Sequence, residues 1–152
     1  MKAVPSPDIH IFSTCPQWKA DERRAHTAHV AQVARWSEDA GCEGMLVYTD
    51  NTQPDPWMVA QIIASATERV SPLVAVQPVY MHPYSAAKLV SSFAQLFGRR
   101  MYLNMVAGGF TNDLKALGDT TPHDRRYARL LEYGLIIKHL LASPAPVTFA
   151  GE

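Results

Sequence analysis

Two amides stand where apolar strands should close. Asn104 interrupts the run Met101 to Val106, and Gln77 ends the run Leu73 to Val76. A buried amide without partners costs roughly 1–3 kcal/mol, so each must bond either a neighbouring backbone group or a ligand with a polar edge. Gly108-Gly109 follow Asn104 closely. Glycines there serve a tight turn or let a ligand approach the backbone. His123 and Tyr127 lie one turn apart where Pro122 opens a helical pattern. A helix N-terminus attracts anions; the alternative is a capping and packing pair. Arg125, Arg126 and Arg129 add cations nearby, as a solvated face or a hold on a phosphate. Cys15 follows the first strand, and Tyr80 and His82 follow Gln77. Each is a candidate substrate contact, set against a structural role for Cys15 and a loop-surface role for the other two.

Other chemistries lack their residues. There is no G-x-S-x-G elbow, no P-loop and no G-x-G-x-x-G turn after the first strand, where Ser13-Thr14-Cys15-Pro16 stands instead. His26 and His29 have no acidic or cysteine partner at metal spacing, and His10 reads as a core histidine. Cys15 and Cys42 make neither a disulfide framework nor a metal pattern; Cys42 reads as a small buried residue. Lys+Arg and Asp+Glu balance at 14 each, so the basic footprint of a nucleic-acid binder is absent. No apolar run reaches the ~20 residues of a membrane helix, and the N-terminal MKAVPSPDIH has no apolar signal region. A cytoplasmic protein is expected.

These residues need a scaffold, and the 152-residue chain repeats one. Strands are expected over Ile9 to Phe12, Gly44 to Thr49, Leu73 to Val76 and Met101 to Val106. Helices are expected over Ala28 to Ala40, Trp57 to Thr67, Pro83 to Phe97 and Pro122 to Ala142. Their inward stripes are Val30, Val33, Ala34 and Ser37; Trp57, Ala60, Ile63 and Ala64; Ala86, Leu89, Val90, Phe93 and Leu96; and Tyr127, Leu130, Leu131, Gly134, Leu135, Ile137 and Leu141. Asp55-Pro56 is a cap followed by proline at the first helical position, and Gly41 and Gly98 are natural stops. Trp18, Trp36 and Trp57 read as packing residues. Val147-Thr148-Phe149 looks like the start of another extended segment. Buried strands alternating with amphipathic helices give an α/β fold with a parallel sheet. A doubly wound sheet and a piece of a (β/α)₈ barrel both satisfy the pattern. The missing glycine fingerprint favours the barrel, of which four units are half.

The order and spacing of several segments resemble one family. Asn104-Met105-Val106-Ala107-Gly108-Gly109, then Pro122-His123-Asp124-Arg125-Arg126-Tyr127, then a long helix and Val147-Thr148-Phe149-Ala150-Gly151-Glu152 are similar to the bacterial luciferase-like flavin-dependent monooxygenases. The nearest branch is that of the alkanesulfonate monooxygenases. Gly44 to Trp57 and Leu73 to Pro83 are similar too. The resemblance implies the N-terminal half of a TIM barrel as a single domain over residues 1–152, ending before the second half. It implies reduced FMN as cosubstrate, O2, a small organic substrate and a flavin reductase as partner. It places flavin-ring contacts at Thr49, Gln77, Asn104 and Ala107, and His123, Arg126 and Tyr127 near the flavin and its phosphate. Gln53 stands where the sulfonate branch has a loop cysteine, which marks Gln53 as a substrate contact and argues against sulfonate.

Three readings follow: half of a flavin-dependent monooxygenase; a flavin-binding or structural half-barrel that pairs with itself or with a separate second-half chain; and an inactive fragment. FMN and a deazaflavin both suit the superfamily, and the branch favours FMN.

Overall fold

The computed structural model describes residues 9–22 and 25–151. The order is β1 (Phe12–Thr14), a 3₁₀ turn at Ala20–Glu22, α1 (His26–Asp39), β2 (Gly44–Val47), α2 (Pro56–Ala66), β3 (Ser71–Val76), α3 (Pro83–Phe97), β4 (Tyr102–Met105), α4 (Thr111–Ala116) and α5 (His123–Ala142). All strand pairs are parallel, in the spatial order β1-β2-β3-β4. A doubly wound sheet reverses its order at a switch point and carries helices on both faces. Here the order never reverses. Val47, Val74 and Leu103 are in register, and all three face the helices, in two adjoining apolar clusters. The helices therefore cover one face, as around a barrel.

The first cluster joins Val30 and Ala34 of α1 to Met45 and Val47 of β2 and to Val59 and Ile63 of α2. The second joins Trp57 and Ala60 to Val74, Val76, Ala86, Ala87, Tyr133 and Ile137. Alternate residues point the other way: Phe12, Gly44, Leu46, Leu73, Ala75, Tyr102 and Asn104 line the inner face. The Phe12 and Tyr102 rings meet edge-on with centroids 5.2 Å apart, although they come from the first and fourth strands. Gly44 makes this possible, because a Cβ there would lie 2.6 Å from the Phe12 ring and 2.4 Å from the Ser71 carbonyl oxygen.

Several boundaries and faces differ from expectation. β1 lies later than Ile9 to Phe12: the ladder pairs Phe12, Ser13 and Thr14 with Gly44, Met45 and Leu46, while Ile9 and Ile11 are 76% and 59% exposed. Cys15 N–H adds a bond to Leu46 O at 2.8 Å, and Pro16 has no N–H to continue. Tyr48-Thr49 fall beyond β2, and β4 loses Met101 and Val106. α1 begins two residues early at His26. α4 lies where no helix was expected; it is a six-residue helix with Leu114 as its buried residue, too short to show a period. Leu96 is 79% exposed. In α5 the buried residues are Tyr133 and Ile137, whereas Tyr127, Leu131, Leu135 and Leu141 are exposed. That helix has apolar residues on more than one side, so periodicity alone could not choose the packed stripe. Trp36 is exposed and Cys42 half-buried. No strand forms at Val147-Thr148-Phe149.

The caps hold as expected. Asp55 accepts from Trp57 N–H at 2.9 Å, with Pro56 in the first turn. Gly98 ends α3 in the left-handed region at φ 64°.

Candidate functional site

The carboxyl ends of the parallel strands converge, and polar residues collect there. Thr49 is buried just past β2, and Gln77 is only 3% exposed just past β3. Asn104 stands on the inner face of β4, in register with Ala75, because its neighbours Leu103 and Met105 pack towards the helices. Ala107 and Gly108 continue β4 after Val106 N–H bonds Val76 O at 2.9 Å. Gly108 has φ 102°, and a Cβ there would lie 3.0 Å from Leu114 Cδ2 and 3.3 Å from Gln77 Oε1. The structure thus brings Gln77 and the Gly108 turn together.

Beside them is a cavity of ≈ 280 Å³ bounded by Thr49, Asp50, Asn51, Gln53, Tyr80 and the apolar wall Trp57, Ala75 and Val76. An apolar wall with amides, hydroxyls and carboxylates at its rim suits a heteroaromatic ring with a polar edge. Asp50 organises the rim: it accepts from Thr52 N–H at 2.7 Å and from the Tyr48 hydroxyl at 2.7 Å. That second bond, with burial and the Asp50 charge behind it, pushes the Tyr48 phenol up to about 12. Burial raises the Tyr80 phenol, and the Asp113 and Asp50 charges add to it.

α4 reaches across to the same rim. Asn51 N–H donates to Asp113 Oδ2 at 3.1 Å, and the Asn51 side-chain amide donates to Asp113 O at 3.3 Å. The Tyr80 hydroxyl donates to Asn51 Oδ1 at 3.3 Å. Tyr48 and Phe110 meet edge-on with centroids 6.1 Å apart. Three loops are therefore laced over the strand ends. Tyr48, Asp50, Asn51 and Asp113 were not singled out in the sequence. The signal available was the Asp50-Asn51-Thr52 turn; nothing in sequence joined it to Asp113, 62 positions away.

The other candidates divide. Arg126 reaches from α5 to the β4 turn, its Nη1 donating to Gly108 O at 2.9 Å. His123 and Tyr127 pair edge-on at 5.2 Å, but His123 is exposed, with Nδ1 3.0 Å from Asp124 Oδ1, and Tyr127 is 56% exposed. His82 caps α3, its Nδ1 accepting from Tyr84 N–H at 3.2 Å. Gln53 lies on the cavity wall while its Oε1 accepts from Trp18 N–H at 2.8 Å. Cys15 is buried beneath the loops, where desolvation pushes its thiol up to about 12. It is a packing residue, far from thiolate chemistry. Arg129 anchors the segment before α5: Nη2 donates to Asp119 Oδ2 at 2.7 Å, and Asp119 also accepts from the Thr121 N–H and hydroxyl. Among the described residues no group of His, Cys, Asp and Glu could hold a metal ion, and no helix is long and apolar enough to cross a membrane.

One-sided parallel βα units with a polar site at the strand carboxyl ends define half of a (β/α)₈ barrel enzyme scaffold. The profile of the luciferase-like monooxygenase family matches residues 8–152, and the chain belongs to that family. It is 39% identical over 124 residues to the 4-(γ-L-glutamylamino)butanoyl-[BtrI acyl-carrier protein] monooxygenase BtrO of Niallia circulans, covering 82% of this chain and 36% of that protein. The chain thus spans about a third of that relative's length. Among solved structures, monooxygenase RslO1 from Streptomyces bottropensis superposes with a TM-score of 0.74 at 20% identity, covering 93% of this chain and 45% of the other. The oxygenating constituent of 3,6-diketocamphane monooxygenase from Pseudomonas putida, a type II Baeyer-Villiger enzyme in complex with FMN, gives 0.68 at 16% identity over 86% and 38%. These structures share the fold.

Proposed function

We propose that this chain forms the first half of a flavin-dependent monooxygenase that uses reduced FMN and O2 to oxygenate a small organic substrate. The observation that carries the reading is that Asn104 on the inner face of β4 and buried Gln77, whose Oε1 lies against the Gly108 turn, both stand at the strand carboxyl ends, where a cavity with an apolar wall opens. When bound, reduced FMN supplies the two electrons and the site at which O2 is activated.

The chain's own residues do the rest. Thr49, Gln77, Asn104 and Ala107 hold the polar edge of the ring. Trp57, Ala75 and Val76 wall it, and the α4 crossing with Phe110 keeps water from it. His123 and Tyr127 lie towards the phosphate side, with Arg126 behind the β4 turn. Gln53 and Tyr80 face the substrate; His82 and Cys15 support their loops. The rim carries amides and a phenol, and BtrO's name specifies a polar acyl group, so a polar acyl compound is the substrate class favoured over a sulfonate.

A flavin reductase supplies the reduced flavin, and the site of action is the cytoplasm. The remaining barrel units complete the enzyme, from a longer polypeptide, a second-half chain or a second copy. The uncovered inner face supports such a completion.

Flavin preference tests the reading. Anaerobic titration with reduced FMN, oxidised FMN and a reduced deazaflavin is expected to show tightest binding of reduced FMN. Preference for the deazaflavin would move the protein to hydride-transfer chemistry.

A further inference from the structure

Arg126 has the composition of a phosphate ligand but not the posture of one. An arginine grips an anion with two parallel N–H groups, drawn from Nη1 and Nη2 or from Nε and Nη2. Nη1 is committed to the Gly108 carbonyl at 2.9 Å. Nε is buried and has no partner among the described residues. Burial of Nε closes the side-on pair to an incoming anion, and one of the two Nη1 N–H groups of the end-on pair is already spent on the protein's own backbone. The residue itself is fixed in the first turn of α5, where its N–H bonds Pro122 O at 3.2 Å.

What Arg126 touches is the turn that closes β4. Gly108 is left-handed at φ 102°, and a Cβ would meet Leu114 at 3.0 Å, Gln77 Oε1 at 3.3 Å and Arg126 Nη1 at 3.7 Å. The glycine thus lies between the buried amide just past β3, the buried leucine of α4 and the guanidinium of α5. A charged donor on its carbonyl fixes which way the next peptide turns, and with it where α4 begins.

We propose that Arg126 is a positioning residue: through Gly108 it sets the β4 turn against Gln77 and so places the edge on which the cofactor rests, without gripping the cofactor's phosphate. The cofactor clause rests on the flavin reading above; the contact with the turn does not.

Two readouts test it on the full chain. In ligand-free protein, Arg126→Ala is expected to speed amide hydrogen exchange across 108–114 by about tenfold, the equivalent of one lost charge-assisted bond. Gly108→Ala is expected to do the same, and the double variant no more than either. Arg126→Lys, which keeps the charge and folds where alanine fails, is expected to restore part of the protection. In titrations, Arg126→Ala is expected to weaken FMN and riboflavin by the same factor, leaving their ratio unchanged. Unchanged exchange in both Arg126 variants would overturn the proposal. So would loss of FMN binding with riboflavin binding retained, which would make Arg126 a direct phosphate contact. If the wild type binds neither flavin, the flavin reading falls and the exchange result alone decides the role of Arg126.

Discussion

At the scale of single residues, burial separates groups that do chemistry from groups that fill space. The Tyr133 phenol is 4% exposed, its oxygen has no partner among the described residues, and burial pushes it up to about 12. Removing that oxygen removes an unsatisfied buried group. Tyr133→Phe is therefore expected to leave the denaturant midpoint unchanged or to raise stability by up to ~1 kcal/mol; a loss would mean the hydroxyl has a partner in the working protein. Asp119 is the opposite case. Its side chain is 7% exposed, and hydrogen bonds from Arg129 and Thr121 hold its carboxyl well below the ordinary range. Folded protein then binds fewer protons there than unfolded protein does. The stabilisation is complete above the unfolded value of about 3.9 and is lost as pH falls below it. Asp119→Ala is expected to cost roughly 1–3 kcal/mol at neutral pH, with the gap to wild type closing in acid; a gap that persists at acid pH would contradict the ion-pair account. Asn104 and Gln77 were legible as candidates because an amide among apolar neighbours is chemically conspicuous. Asn51 and Asp113 were not, because their partnership exists only after three loops meet.

Among elements, the strands were legible to within a few residues. Mostly apolar runs between glycine and proline signals mark strands of a helix-covered sheet. The strand ends were not legible, because register decides them: Phe12 pairs with Gly44, and no pattern in β1 announces it. Gly44 now has a specific role. Gly44→Ala would drive a methyl into the Phe12 ring and the Ser71 carbonyl, and is expected to destabilise by about 3 kcal/mol or prevent folding. An alanine variant with wild-type thermal stability would show that the inner-face packing is wrong. The α4 crossing depends on exposed hydrogen bonds, which contribute little each. Asn51→Ala should leave global stability within about 0.5 kcal/mol, yet raise proteolysis or exchange at 109–118 severalfold. Equal protection in the variant would mean that the crossing is held elsewhere. The packed face of α5 was misread in part because its apolar residues lie on more than one side, with Tyr127, Leu131, Leu135 and Leu141 left exposed.

The whole molecule is an arc rather than a closed shape. Among the described residues, β1 and β4 each pair on one side, and no helix covers the inner face. Outside β4, Leu103, Met105, Ile137 and Leu141 line an apolar groove of ≈ 470 Å³. Open parallel edges and apolar grooves invite association, so the isolated chain is expected to exceed its monomer mass of 16.8 kDa in light scattering at micromolar concentration. A monodisperse monomer would mean that the arc is self-sufficient. The covering of one face alone was seen only in the structure, while the repeat of βα units was readable in the sequence, and so was the family. How far round the barrel the site extends was not, since the inner face takes its meaning from whatever stands opposite.

We propose a flavin site at the strand ends of β2 to β4, with Asn104 at its edge. The direct measurement is an anaerobic fluorescence titration of reduced FMN into wild type and Asn104→Ala in parallel. Saturable binding to the wild type and at least about tenfold weaker binding to the variant are expected, the loss of one hydrogen-bonding partner. Equal affinity in the two proteins would contradict the placement of the site.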